Sequence, residues 1–184
     1  MKVCFVSSKR AGFTLLEFVI YIGMTTMVLV SLLSFTWSIL HNRAKQAALM
    51  EVNNSGNFAL EQMLYYTRRA STIGSDTIYG TDPGKLVLTS NTNPTVTIDT
   101  YQTSVALGET IVPITKLRLQ HGSATPIDIT SDRVHVASFI LANLTSDTLP
   151  TVQITLHLEA ANPSNSVFYE AEKTFVTSAT LRIQ

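Results

Sequence analysis

Cysteine is almost missing from this chain: Cys4 is the only one, so no disulfide can close within the chain and no CxxC metal site exists. Charge is scarce as well. Only 14% of residues are charged, the formal net charge is zero and no basic run follows the first ten residues, so composition carries no nucleic-acid footprint. No GxSxG elbow, no phosphate-cradling GxxxxGK[ST] loop and no HExxH pair occurs. His41, His121, His135 and His157 are far apart, and His135 and His157 alternate with apolar residues, as solvent-facing strand histidines do. Asp76, Asp82, Asp128, Asp132 and Asp147 read as solvated loop or turn acids rather than calcium ligands. These absences leave no catalytic residue, no metal site and no cofactor, and they point away from an enzyme.

What the chain does have is a long uncharged run. The residues from Phe18 to Leu40 carry no ionisable side chain except Tyr21, and no proline interrupts them. As a helix the run rises about 35 Å, against about 30 Å of bilayer hydrocarbon. Tyr21 and Trp37 lie towards its ends, where interfacial aromatics sit. Gly23, Thr25, Thr26, Ser31, Ser34, Thr36 and Ser38 are small or weakly polar, a composition that is ordinary in membrane helices and also lets such helices approach closely.

Glu17 stands at the mouth of this run. An ionisable side chain within a bilayer costs about 2.5–3.5 kcal/mol at the centre, so it calls for a partner. Thr14-Leu15-Leu16-Glu17 also has capping-box spacing, and a carboxylate in the first turn suits the positive end of the helix dipole. Capping and pairing are compatible in different states. Lys2, Lys9 and Arg10 precede the run, and Arg43 and Lys45 follow it, which weakly favours a cytoplasmic N-terminus. A secretory signal fits poorly, because its apolar centre spans about 7–15 residues and ends at a small-x-small site.

The segment Lys9-Arg10-Ala11-Gly12-Phe13-Thr14-Leu15-Leu16-Glu17 resembles the N-terminus of type IV prepilins and type II secretion pseudopilins. The resemblance implies a cytoplasmic leader containing Lys9 and Arg10, cleavage by a prepilin peptidase between Gly12 and Phe13, and N-methylation of Phe13. It also implies that Glu17, fifth in the mature chain, meets the N-terminal amine of a neighbouring subunit during filament assembly. Such a mature chain has no cysteine and closes no disulfide. Many major pilins carry a proline within the membrane segment, and this run has none, which points to a minor component.

Beyond the run, Ala44, Ala47, Ala48, Val52, Ala59, Leu60, Met63 and Tyr66 or Thr67 recur at helical spacing, so an amphipathic helix continues to about Ala70. Asn53-Asn54-Ser55-Gly56-Asn57 is the expected weak point, a place for a bend or local melting, because none of these residues favours a helix interior. From Ser71 the composition turns to Thr, Ser, Val and Ile with regular turn signals. Strands are expected over 85–89, 95–101, 104–107, 111–114, 117–120, 134–144, 151–158 and 167–177. Val152, Ile154, Leu156 and Leu158 alternate with polar neighbours, as in a sheet with one buried face. Ser131-Asp132-Arg133-Val134-His135-Val136 with Phe139 is similar to a strand of minor pseudopilins of the J or W type.

The expected organisation is a leader over 1–12, a long helix over 13–70 with a membrane segment at about 17–40, and a β-rich head over 71–184. The fold class is α+β: a long N-terminal helix packed on an antiparallel sheet, pilin-like by resemblance. The same resemblance implies as partners the lipid bilayer, other pilin or pseudopilin subunits, a prepilin peptidase and a membrane assembly platform with a separate ATPase. It places the protein in the cytoplasmic membrane with its head outside, and then in a pilus or pseudopilus. A membrane-tethered, adhesin-like binding module is the main alternative. A secreted hydrolase with an atypical signal is a weaker one.

Overall fold

A computed structural model describes residues 14–90, 94–145, 149–162 and 169–181. The chain divides into two compact units, Met1–Asn42 and Arg43–Gln184. One helix, α1 (Leu15–Arg69), supplies residues to both.

The first unit contains the apolar stretch of α1. Its large apolar side chains are exposed, from 37% at Ile39 to 83% at Leu15. This is the single described helix that is long and apolar enough to cross a membrane, with a mean hydropathy of 2.1 over its most apolar window. Its threonines are satisfied locally. Thr26 donates to the Ile22 carbonyl at 2.7 Å, Thr36 to the Leu32 carbonyl at 2.9 Å, and Thr25 to the Tyr21 carbonyl. Hydroxyls bonded to their own helix bring no unpaired donor into an apolar medium.

The second unit packs the rest of α1 on antiparallel sheets, which makes the fold class α+β. A meander joins β1 (Thr72–Ile73), β2 (Leu86–Thr89), β3 (Val96–Leu107), β4 (Thr110–His121) and β5 (Ile127–Asp128) in that order. A second sheet joins β6 (Val134–Asn143), β7 (Thr151–Ala160) and β8 (Glu172–Thr180). Val152, Ile154, Leu156 and Leu158 are each fully buried, so the alternation expected along β7 is present. They share a core with Phe139 and Leu141 of β6, Leu86 and Ile98 of the first sheet, and Val52, Ala59 and Met63 of α1.

Four expectations are corrected. First, α1 runs through Asn53–Asn57 without interruption, because three of these poor helix formers, Asn53, Ser55 and Gly56, are engaged by other elements. Gly56 faces Phe175, whose ring would lie 2.3 Å from any Cβ at that position. Asn53 donates to the Leu49 carbonyl at 2.8 Å and accepts from Lys173 Nζ at 2.5 Å. Packing overrides propensity here. Second, the buried stripe follows Val52, Ser55, Gly56, Ala59, Met63 and Thr67, while Ala47 is exposed. The Thr67 hydroxyl, bonded to the Met63 carbonyl at 2.7 Å, makes its burial tolerable.

Third, the four short strands expected between 95 and 120 are two strands of 12 residues each, β3 and β4. Pro113 does not end β4. It pairs with Ser104 on one side, and β5 reaches only Arg118 and Leu119 on the other, so the proline sits where β4 is an edge. Fourth, β8 begins at Glu172 and ends at Thr180, later than expected, with Val167 outside the described residues.

The segment Asp82-Pro83-Gly84 covers a sheet edge. Its Asp82–Pro83 peptide is cis, and the segment closes over the free edge of β6. Gly80 N–H donates to the Leu141 carbonyl at 2.8 Å, Gly84 N–H to the Phe139 carbonyl at 2.6 Å, and Phe139 N–H to Asp82 Oδ1 at 3.1 Å. An open sheet edge is thereby paired.

Candidate functional site

The sequence marks the first turn of α1 as the site. Thr14 precedes the helix, and its Oγ1 accepts the Glu17 N–H at 3.3 Å, the N-cap half of a capping box. The Glu17 carboxylate is exposed, and no group among the described residues pairs with it. Lys9, Arg10, Gly12 and Phe13 lie outside the described residues. Thr14 and Glu17 are thus brought together, and the hydrogen bond runs through the backbone of Glu17. Its side chain stays available for a cation, next to a helix dipole end that favours negative charge. Nearly two turns beyond Glu17, Gly23 has no neighbouring atom within 4 Å of where its Cβ would stand, so its face of the helix is open to close approach.

Within the second unit, the segment Ser131–Val136 is a junction. Ser131 N–H donates to Ser55 Oγ at 3.2 Å, and the Ser131 hydroxyl donates to Glu51 at 2.5 Å, tying this loop to α1. Val134 and Val136 enter the core. His135 is half-buried and accepts the Thr115 N–H on Nδ1 at 3.0 Å, which links β6 to β4. It is a strand-bridging histidine rather than the solvated one expected.

Asp132 and Asp128 also depart from the expectation of free turn acids. Both accept from Lys116, a lysine only 6% exposed, with Asp128 at 2.9 Å. Tyr101 O–H donates to the same Asp128 at 2.7 Å. Burial alone would lower the Lys116 pKa, but its hydrogen bonds to Asp132 and Asp128 outweigh this and hold it above the ordinary lysine value. Burial likewise pushes Asp128 up, and the bonds from Lys116 and Tyr101 bring it below the usual carboxylate range. Burial, then the Asp128 bond, raises Tyr101. Beside them Arg118 makes a forked pair with Asp99 at 2.7 and 3.0 Å, which raises its pKa, and stacks 5.1 Å over Tyr101 by cation–π attraction.

Sequence reading missed this network because β4 is covered on both faces around Lys116, with Ile114 and Lys116 buried on one face and Leu117 and Leu119 in the core on the other, so the burial pattern changes phase there. A phase change leaves no signature in alternation. The reading also missed a cross-strand group, His157, Glu159 and Glu172, whose members meet only through the pairing of β7 with β8. Comparison with protein-family models, with curated proteins and with solved structures found no match to this chain.

Proposed function

We propose that this protein is a minor pilin or pseudopilin, a structural subunit of a type IV pilus or type II secretion-like filament. The observation that carries the reading is Glu17, a carboxylate with no partner among the described residues in the first turn of an exposed, membrane-length apolar helix. The preceding Lys9-Arg10-Ala11-Gly12-Phe13 supplies the prepilin-type context. The long helix packed on antiparallel sheets supports a pilin-like layout.

In this reading Lys9 and Arg10 stay in the cytoplasm, a prepilin peptidase cuts between Gly12 and Phe13, and Phe13 is N-methylated. The apolar stretch of α1 holds the subunit in the cytoplasmic membrane with its head outside. An assembly platform with its own ATPase then moves the subunit into the filament. There Glu17 meets the N-terminal amine of a neighbour, an ion pair that a low-dielectric setting strengthens. The protein acts by assembly and carries no chemistry of its own.

Coexpression with a prepilin peptidase, followed by N-terminal mass analysis, tests this. A mature chain beginning at methylated Phe13 is expected, and Gly12→Leu blocks its formation. An uncut chain, or a cut beyond Leu40, overturns the reading. Glu17→Gln is expected to insert and be processed normally but to enter filaments at least about tenfold less. Removing one partner of a buried pair costs about 3–5 kcal/mol. Incorporation of this variant at the wild-type level reduces Glu17 to a dipole role.

A further inference from the structure

The pairing of β7 with β8 sets His157 opposite Thr174 and Glu159 opposite Glu172. Leu156, Leu158 and Phe175 take the inward face, so these four polar residues share the outward one. Two glutamates directly opposite each other repel. They also line a cleft of about 520 Å³ with Glu170, and no lysine or arginine is among the described residues that line it. The cleft is therefore anionic without internal compensation.

The ring of His157 is oriented for a further contact. Its Nδ1 lies 2.8 Å from Thr174 Oγ1. With Nδ1–H donated there, Nε2 turns its lone pair towards Glu159 Oε1 at 3.5 Å and Glu172 Oε2 at 3.7 Å. Three acceptors then converge with no donor among them. A proton on Nε2 serves them poorly, since both separations exceed an ordinary N–H···O bond. A cation between them serves all three.

The spacing suits a metal ion. One ligand atom from each residue lies within 4.8 Å of the others. A tetrahedral ion with bonds of about 2.0–2.2 Å needs ligand separations of about 3.3–3.6 Å, close to those at Nε2. An imidazole with carboxylates favours a borderline transition ion over calcium. The hydroxyl holding the far ring nitrogen is the usual way to fix a ligating histidine.

We propose that His157, Glu159 and Glu172 bind one divalent transition-metal ion, with its remaining position open to water in the cleft. The ion ties β7 to β8 at the end of the hairpin where residues 161–171 connect the strands. Closing a loop in this way constrains the unfolded chain, in a protein whose single cysteine can form no internal disulfide. The inference stands independently of the filament reading.

Zinc is the probe. The full chain without an affinity tag, stripped by chelator in detergent micelles, is dialysed against micromolar zinc near neutral pH. One zinc per chain is expected, together with a higher melting temperature. His157→Ala, and the double change Glu159→Gln with Glu172→Gln, each weaken binding at least about tenfold. Thr174→Val, which removes only the orienting hydroxyl, weakens it about tenfold. The glutamine pair also removes the like-charge repulsion, so its apo form is expected to fold at least as stably as the apo wild type. No bound zinc, or undiminished binding by the glutamine pair, overturns the proposal. Displacement of zinc by a large excess of calcium overturns the assignment to a transition ion.

Discussion

The two parts of α1 share one secondary structure and nothing else. Before Asn42 its large apolar side chains touch no core, as Leu29 at 55% and Trp37 at 65% exposure illustrate, whereas Val52, Ala59 and Met63 are completely buried. In the apolar part the threonine hydroxyls bond to carbonyls of their own helix. The packed part bonds to other elements, through Ser55, Glu51 and Asn53. Helicity therefore has two sources in one element. In the first part it comes from internal hydrogen bonding suited to a lipid solvent, and in the second it comes from tertiary contact.

The largest test of this contrast is a pair of leucines. Leu156→Ala opens a cavity in a fully buried position and is expected to destabilise the second unit by about 2–5 kcal/mol. Leu29→Ala should leave that unit within about 0.5 kcal/mol of wild type. Urea unfolding of the full chain in mild detergent, read by tyrosine circular dichroism, measures both. Equal effects would abolish the distinction between the two parts.

Two glycines sharpen it. Gly56→Val forces the Phe175 ring to move and should cost about 1–3 kcal/mol, while Gly23→Val meets open space and leaves the second unit unchanged. Shortening the ring with Phe175→Leu should reduce the penalty of the Gly56 change, a coupling that a double-mutant cycle reads directly.

The smallest effect is one of pH. Asp128 has a lowered pKa, so its contribution is present above the unfolded value of about 3.9 and is lost as pH falls through the lower folded value. Lys116 has a raised pKa, so its contribution is complete below about 10.4 and is lost as pH rises through the higher folded value. Asp128→Asn should flatten the acid limb of the second unit's stability by about 0.5 kcal/mol, solvent screening at this partly exposed carboxylate keeping the figure small. The apolar part of α1, with Glu17 as its single acid among the described residues, has no counterpart to this network.

Most of the architecture was legible because it follows periodicity. The membrane-length run, the helix up to Arg69 and the inward face of β7 all appear as regular spacing in the residues themselves. What escaped depends on partners distant in sequence. Asn53–Asn57 reads as a break until Phe175, Ser131 and Lys173 are set against it. The turn expected between 114 and 117 is absent, because Ile114 to Leu117 pair with β3 without a break. Glu17 was legible as an anomaly of charge. The Lys116 cluster and the His157 group were not, because they join residues of different strands that no local pattern connects.

The contact of Gly56 with Phe175 also constrains how the sequence can change over generations. Any side chain at position 56 enters the space of the ring, so a smaller residue at 175 has to be in place before one at 56 is tolerated. The two positions form an ordered pair in which one substitution opens the way for the other. Among descendants of this chain, a residue larger than glycine at 56 should be found together with a shortened side chain at 175.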